Sequence, residues 1–120
     1  MIDHIEIRTP RMAESLHFYA EALAPLGYTR KVDGAAKGFG NDDALDLFLV
    51  EGEASDVHFA FAAPDRATVD RIYAAGRAAQ FTLDRAPALA PHIHPDYYAG
   101  YLRDPDGRLI EFVCQKAEPG

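Results

Sequence analysis

Two histidines stand in matched places. His4 opens His-Ile-Glu-Ile-Arg-Thr-Pro10 and His58 opens His-Phe-Ala-Phe-Ala-Ala-Pro64, each six residues before a proline. Both segments alternate in the period-two manner of a half-buried strand. An imidazole near neutral pH serves as ligand, acid or base. Either histidine alone reads as a solvent-facing or structural residue, but the shared position gives the two a common reading. Glu111 lies in the apolar run Leu109-Ile-Glu-Phe-Val113. A carboxylate there is rarely buried unless paired or metal-bound, and Arg8 and Arg103 are the rival partners. The third concentration of chemistry is His92-Ile-His94-Pro-Asp-Tyr97-Tyr98. In it His94 and Tyr98 are the candidate acid-base or hydrogen-bonding groups, with the proline-rich stretch before them as a partly fixed lid. The plainer reading is a surface loop whose two tyrosines pack on a sheet. The His-x-His pair also hints at metal but has no third ligand close by in sequence. His17 falls on the solvated side of a helix, and Cys114 reads as a small core residue.

The elements that must position these groups repeat. The offset from His4 to His58 is 58 − 4 = 54 residues, and carrying it forward sets Phe18-Tyr19-Ala20 against Ile72-Tyr73-Ala74. Met12, Leu16, Tyr19, Leu23 and Leu26 form one apolar helical stripe, with Thr9 as N-cap, Pro10 in the first turn and Gly27 able to take the left-handed conformation at the end. A second helix begins at Asp65 and runs to about Ala79, with Val69, Ile72, Tyr73 and Gly76 on its apolar side. Short strands follow each helix: residues 28–32, 37–39 and 45–50 in the first half, and 81–84, 97–102 and 108–114 in the second. The last two are joined by Asp104-Pro-Asp-Gly107, a strong hairpin turn. A longer connection, Arg85 to Asp96, lies between.

A strand, a helix and three strands, written twice, predict an α+β fold of two tandem βαβββ modules, about 1–54 and 55–120, within one domain spanning 1–120. Each helix stripe is buried if its sheet curls around it, and two mixed sheets of this kind side by side would enclose a cleft. Strand parity turns Ile5 and Ile7 to the first helix, with His4, Glu6 and Arg8 opposite. It turns Val57, Phe59 and Phe61 to the second helix, with His58, Ala60 and Ala62 opposite. In the last strand Ile110, Phe112 and Cys114 share one side and Leu109, Glu111 and Val113 the other.

Composition bounds the function. With 120 residues and 48% hydrophobic content, the chain can bury one real core. Asp3, Glu6, Arg8, Arg11 and Glu14 interrupt any leader-like apolar run, and no stretch approaches the roughly 20 apolar residues of a membrane span. A cytoplasmic protein without membrane contact is expected, and one cysteine is compatible with a reducing compartment. A net charge of −7 with scattered basic residues argues against nucleic acid as a partner. Open strand edges favour a homodimer.

The repeated strand-helix pairs, the Asp104-Pro-Asp-Gly107 turn and a glutamate four residues after its glycine resemble the vicinal-oxygen-chelate superfamily, which includes glyoxalase I, bleomycin-resistance proteins and extradiol dioxygenases. The resemblance spans nearly the whole chain. It implies one divalent metal ion held by His4, His58 and Glu111. Fe, Mn, Zn or Ni suits two imidazoles and a carboxylate, with positions left for two neighbouring oxygens of a small-molecule substrate. Such an ion acts as a Lewis acid on a bound oxygen. It further implies a lyase, isomerase, transferase or dioxygenase. The alternative that the resemblance offers is a non-catalytic small-molecule or antibiotic binder of the bleomycin-resistance type. One departure stands out: glyoxalase I takes a fourth ligand from the last strand of its first half, where this chain has Phe48, and only Asp46 nearby shares its parity.

Overall fold

The computed structural model describes residues 1–118. The chain divides into two compact units, Met1–Asp56 and Val57 onward. Each unit is a strand, a helix and then strands in an open mixed sheet, the α+β arrangement of two tandem βαβββ modules.

In the first unit β1 (Ile5–Thr9) leads into helix α1 (Met12–Leu23), followed by β2 (Thr29–Asp33), β3 (Lys37–Gly40) and β4 (Leu45–Glu51). The sheet order is β1-β4-β3-β2, with β1 parallel to β4 and the other pairs antiparallel. Alternation in β1 buries Ile7 and Thr9 and exposes Glu6 and Arg8. Thr9 does not cap α1. It remains in β1, its Oγ1 accepts the Arg11 amide at 3.0 Å and meets Ser15 Oγ at 3.1 Å, and the helix starts later, with Arg11 as a cap that lends no side chain. The later start goes with a rotated buried face made of Ser15, Phe18, Tyr19, Ala22 and Leu23, while Met12, Leu16 and Leu26 are only half-buried. Small Ser15 and Ala22 allow that close approach where a leucine stripe would stand further off. The helix tightens into a 3₁₀ turn over Ala24–Leu26 and stops at Gly27, whose φ of 79° only a glycine adopts freely.

In the second unit β5 (Phe59–Ala62) leads into α2 (Arg66–Ala78), then β6 (Thr82–Leu83), β7 (Ala88–Leu89), β8 (Tyr98–Arg103) and β9 (Leu109–Cys114). The order is β5-β9-β8-β6, with the short β7 also on β8. Asp65 caps α2, accepting the Thr68 amide at 2.7 Å. A Cβ on Gly76 would stand 2.9 Å from both methyl carbons of Leu102, so glycine lets α2 lie close on β8. The turn between β8 and β9 is held by Asp104, which accepts the amides of Asp106 at 3.0 Å and Arg108 at 2.9 Å and pairs with the buried Arg108 guanidinium at 2.6 Å. The connection from Arg85 to Asp96, read from sequence as a lid, contains β7 and is fastened to β8 through it. Among the described residues, no helix is long and apolar enough to cross a membrane.

Candidate functional site

The chemistry of the second unit gathers on the face of its sheet turned away from the Ile110, Phe112 and Cys114 side chains. Parallel pairing sets Phe59 beside Ile110 and Ala60 beside Glu111, so His58 at the head of β5 reaches both the Leu109 backbone and the Glu111 side chain. Its Nδ1 lies 2.7 Å from the Leu109 carbonyl oxygen and its Nε2 lies 3.1 Å from Glu111 Oε1. A carbonyl only accepts, so Nδ1 carries a proton. In a neutral imidazole Nε2 is then a lone pair facing a carboxylate oxygen. The contact therefore requires a proton or a cation between Nε2 and Oε1. Metal-ligating histidines are commonly held through their second nitrogen in this way.

Glu111 is buried, 6% exposed, whereas His58 is half open to solvent. Its second oxygen, Oε2, accepts the Tyr97 hydroxyl. Burial, and then the hydrogen bond and charge of Glu111, hold the Tyr97 phenol well above its ordinary pKa, so it is a neutral donor across the physiological range. Tyr101 stands directly opposite Glu111 in the β8–β9 ladder and is also raised, first by burial and then by the Glu111 charge. The Arg85 guanidinium lies over its ring, 3.9 Å from the centroid. Ala99, Tyr101 and Val113, with Tyr97 and Leu109 against them, make the apolar surround.

This donor pair fits a divalent cation in spacing as well as in type. Two ligands at roughly 2.0–2.1 Å from one ion stand roughly 2.9 Å apart at a right angle and roughly 3.3 Å apart at the tetrahedral angle, and the observed 3.1 Å falls between. The third implied ligand, His4, is in the first unit, where its Nδ1 meets Asp3 Oδ1 at 2.7 Å and its ring sets an edge on Phe48 with centroids 5.3 Å apart. Among the described residues, no group of three or more His, Cys, Asp or Glu side chains is placed to hold a metal ion.

The other expected groups are placed differently. Tyr98 was expected to face the site, but its hydroxyl donates to Asp70 Oδ1 of α2 at 2.6 Å and the Arg66 guanidinium lies over its ring. Adjacent strand residues point to opposite faces, so Tyr97 takes the place beside Glu111. The signal was present in the hairpin: pairing Arg103 with Leu109 across the turn sets Tyr101 against Glu111, and Ala99 and Tyr97 follow at steps of two. His94 is exposed, and its Nδ1 accepts the Asp96 amide at 3.2 Å, a local turn contact rather than a contact with His58 or Glu111. Of the rival arginines, Arg103 bonds Asp84 and the Gly107 carbonyl. In the first unit Asp46 accepts the Tyr28 hydroxyl.

The sequence profile of the Glyoxalase/Bleomycin resistance protein/Dioxygenase superfamily matches residues 1–112. Several solved structures are similar over nearly their full length. A glyoxalase/bleomycin resistance protein from Albidiferax ferrireducens T118 is 23% identical with a TM-score of 0.78, and 99% of each chain is covered. Lactoylglutathione lyase from Agrobacterium tumefaciens is 21% identical with a TM-score of 0.72, over 95% of this chain and 92% of that one. A glyoxalase/bleomycin resistance protein/dioxygenase family enzyme from Burkholderia phytofirmans PsJN is 16% identical with a TM-score of 0.72, over 95% and 98%. At these identities the likeness is one of fold. No curated protein matches the sequence.

Proposed function

Because the chain belongs to the glyoxalase/bleomycin resistance protein/dioxygenase superfamily, we propose that it is a divalent-metal-dependent enzyme acting on a small molecule with adjacent oxygens, and that His58, Glu111 and His4 are the ligands. The observation that carries this reading is the His58–Glu111 contact, where Nε2 lies 3.1 Å from a buried carboxylate oxygen while Nδ1 is engaged by the Leu109 carbonyl. A bound Fe, Mn, Zn or Ni ion would supply Lewis acidity toward a substrate oxygen. The chain's own residues do the rest. The Leu109 carbonyl fixes the tautomer and tilt of His58. Glu111 contributes the negative charge that a cation needs. Tyr97 holds its proton on the hydroxyl against Glu111, which orients the carboxylate and keeps Oε1 toward His58. Ala99, Val113 and Leu109 keep the surround apolar, which strengthens these electrostatic contacts. We further propose a homodimer, supported by the open sheets, which leave edge strands in both units.

A second reading has its own observation. Both Glu111 oxygens already have partners, His58 and Tyr97, and a proton on His58 Nε2 would satisfy the pair without metal. That favours a non-catalytic protein that binds a small molecule on the same face. Element-resolved metal analysis of the gently purified protein separates the two. One divalent ion per chain, lost in Glu111→Gln, is the result expected for the enzyme, and a metal-free wild type that rejects added Mn(II), Zn(II) and Ni(II) overturns it.

A further inference from the structure

The Arg85–Ile93 segment forms a cavity of about 200 Å³ against β8. Ala88, Leu89, Ile93 and Ala99 give it apolar walls, and Arg85, His92 and Tyr101 are its polar groups. Leu89 and Ile93 are 49% and 55% exposed, so large apolar side chains stand open to solvent at the same place. The charge is equally uneven. Asp84 is shared by two guanidinium groups, with Oδ1 3.4 Å from Arg85 Nε and Oδ2 3.1 Å from Arg103 Nε. One carboxylate between two arginines leaves this triad with one positive charge in excess. Burial of the Asp84 carboxyl works against its ionisation, but hydrogen bonds from Arg85 and Arg103 outweigh it and hold its pKa below the ordinary carboxylate value. The Arg85 guanidinium lies over the Tyr101 ring, 3.9 Å from its centroid, while much of the side chain stays open to solvent at the cavity.

We propose that this cavity is a binding site for a small monocarboxylic acid, whose apolar body lies among Ala88, Leu89, Ile93 and Ala99 and whose carboxylate is taken by Arg85. A planar guanidinium held over a ring is suited to a bidentate carboxylate. Arg85 lines the cavity with a single guanidinium, which matches a monoanion. The cavity is smaller than the roughly 300–1,000 Å³ of drug-sized pockets, which selects a compact acid. Tyr101 ties the cavity to the candidate site, because it lines the one and opposes Glu111 in the other. The acid is therefore the end of the substrate remote from its reacting oxygens. Only this last assignment rests on the function proposed above.

The test uses benzoate as probe and benzamide as its uncharged match, with the protein kept in chelator so that the result does not depend on metal. Methyl resonances of Leu89 and Ile93 are followed during titration. Benzoate is expected to shift both and saturate, benzamide to bind about tenfold more weakly or worse, and Arg85→Gln to remove most of that preference. Arg85→Lys, which keeps the charge without the planar fork, is expected to fall between. Arg85 is exposed, and an unchanged circular dichroism spectrum confirms that the variant folds. Equal binding of benzoate and benzamide, shifts confined to other methyls, or full benzoate affinity in Arg85→Gln each overturn the proposal. Arg85-dependent benzoate binding in a protein that takes up no metal supports the acid site and removes the metal reading; metal uptake without benzoate binding does the reverse.

Discussion

Phe48 and Glu111 occupy equivalent positions in the two sheets. Phe48 pairs with Glu6 across β1–β4, Glu111 pairs with Ala60 across β5–β9, and Glu6 and Ala60 are separated by 60 − 6 = 54, the offset of the repeat. The same place holds an aromatic ring against His4 in one unit and a carboxylate against His58 in the other. The repeated backbone thus carries unlike chemistry at one register position.

Metal affinity should therefore respond to one of these positions and not the other. Glu111→Gln is expected to weaken Mn(II) or Zn(II) binding by at least about tenfold, about 1.4 kcal/mol, because an amide oxygen brings no charge to offset the cation's. Phe48→Leu should leave affinity within experimental error. Competition with a chelator measures both, and equal losses would remove Glu111 from the ligand set.

Tyr97→Phe removes the hydroxyl that Glu111 Oε2 accepts, leaving a buried carboxylate oxygen short of a donor. Urea unfolding should show a loss of about 1–3 kcal/mol. In the Glu111→Gln background the same substitution should cost less, since the charged acceptor is gone, and a double-mutant cycle reads the difference. An additive cycle would mean that the phenol and the carboxylate do not interact.

Alkaline stability follows from the tyrosines. Burial and the Asp70 carboxylate push Tyr98 up to about 12 from an ordinary 10, and Tyr28, Tyr97 and Tyr101 are raised as well. A phenol raised on folding gives a contribution fully present below the unfolded pKa and lost as pH rises through the folded one. Stability should accordingly hold to about pH 10 and fall between pH 10 and 12, where unfolded phenols ionise and folded ones resist. Ultraviolet titration of phenolate checks this. Asp70→Asn should lower only the Tyr98 step, and only in part, because burial is its larger cause.

Arg108 is 3% exposed and Asp104 fully buried, with Asp106 on the same guanidinium at 3.2 Å. Arg108→Ala leaves two buried or nearly buried carboxylates without that cation. A loss of about 3–5 kcal/mol is expected in thermal or urea unfolding, with metal binding retained by whatever fraction remains folded. A loss below 1 kcal/mol would show the pair to be dispensable.

The fold was legible because local signals repeated. Strand and helix bounds agree to within a residue or two wherever alternation, a cap such as Asp65 or a turn such as Asp104–Gly107 marked them. Where signals competed, packing decided. Thr9 had the chemistry of an N-cap but was held in β1, and the leucine stripe of α1 gave way to a face with small Ser15 and Ala22. The site was legible by residue type more than by direction. Tyr97 and Tyr98 are identical in composition and adjacent in sequence, so only the register of the hairpin separates the one beside Glu111 from the one on α2. No local pattern marked Arg85, whose guanidinium lies over a ring on a strand that follows it in the chain.

Parallel pairing of the first strand of each unit with its last has a kinetic side. His58 meets Glu111 only when β9 docks beside β5, so the most distant pairing in the unit is also the one that creates the contact. Such long-range closures are slow relative to hairpins and helices. On the ribosome β5, α2 and β8 can emerge and collapse while His58 still lacks its carboxylate, and a chain cut short before Leu109 never acquires it. A ligand at that contact would then draw on the fully assembled unit and stabilise it by mass action, making occupancy a report on whether the last strand is in place.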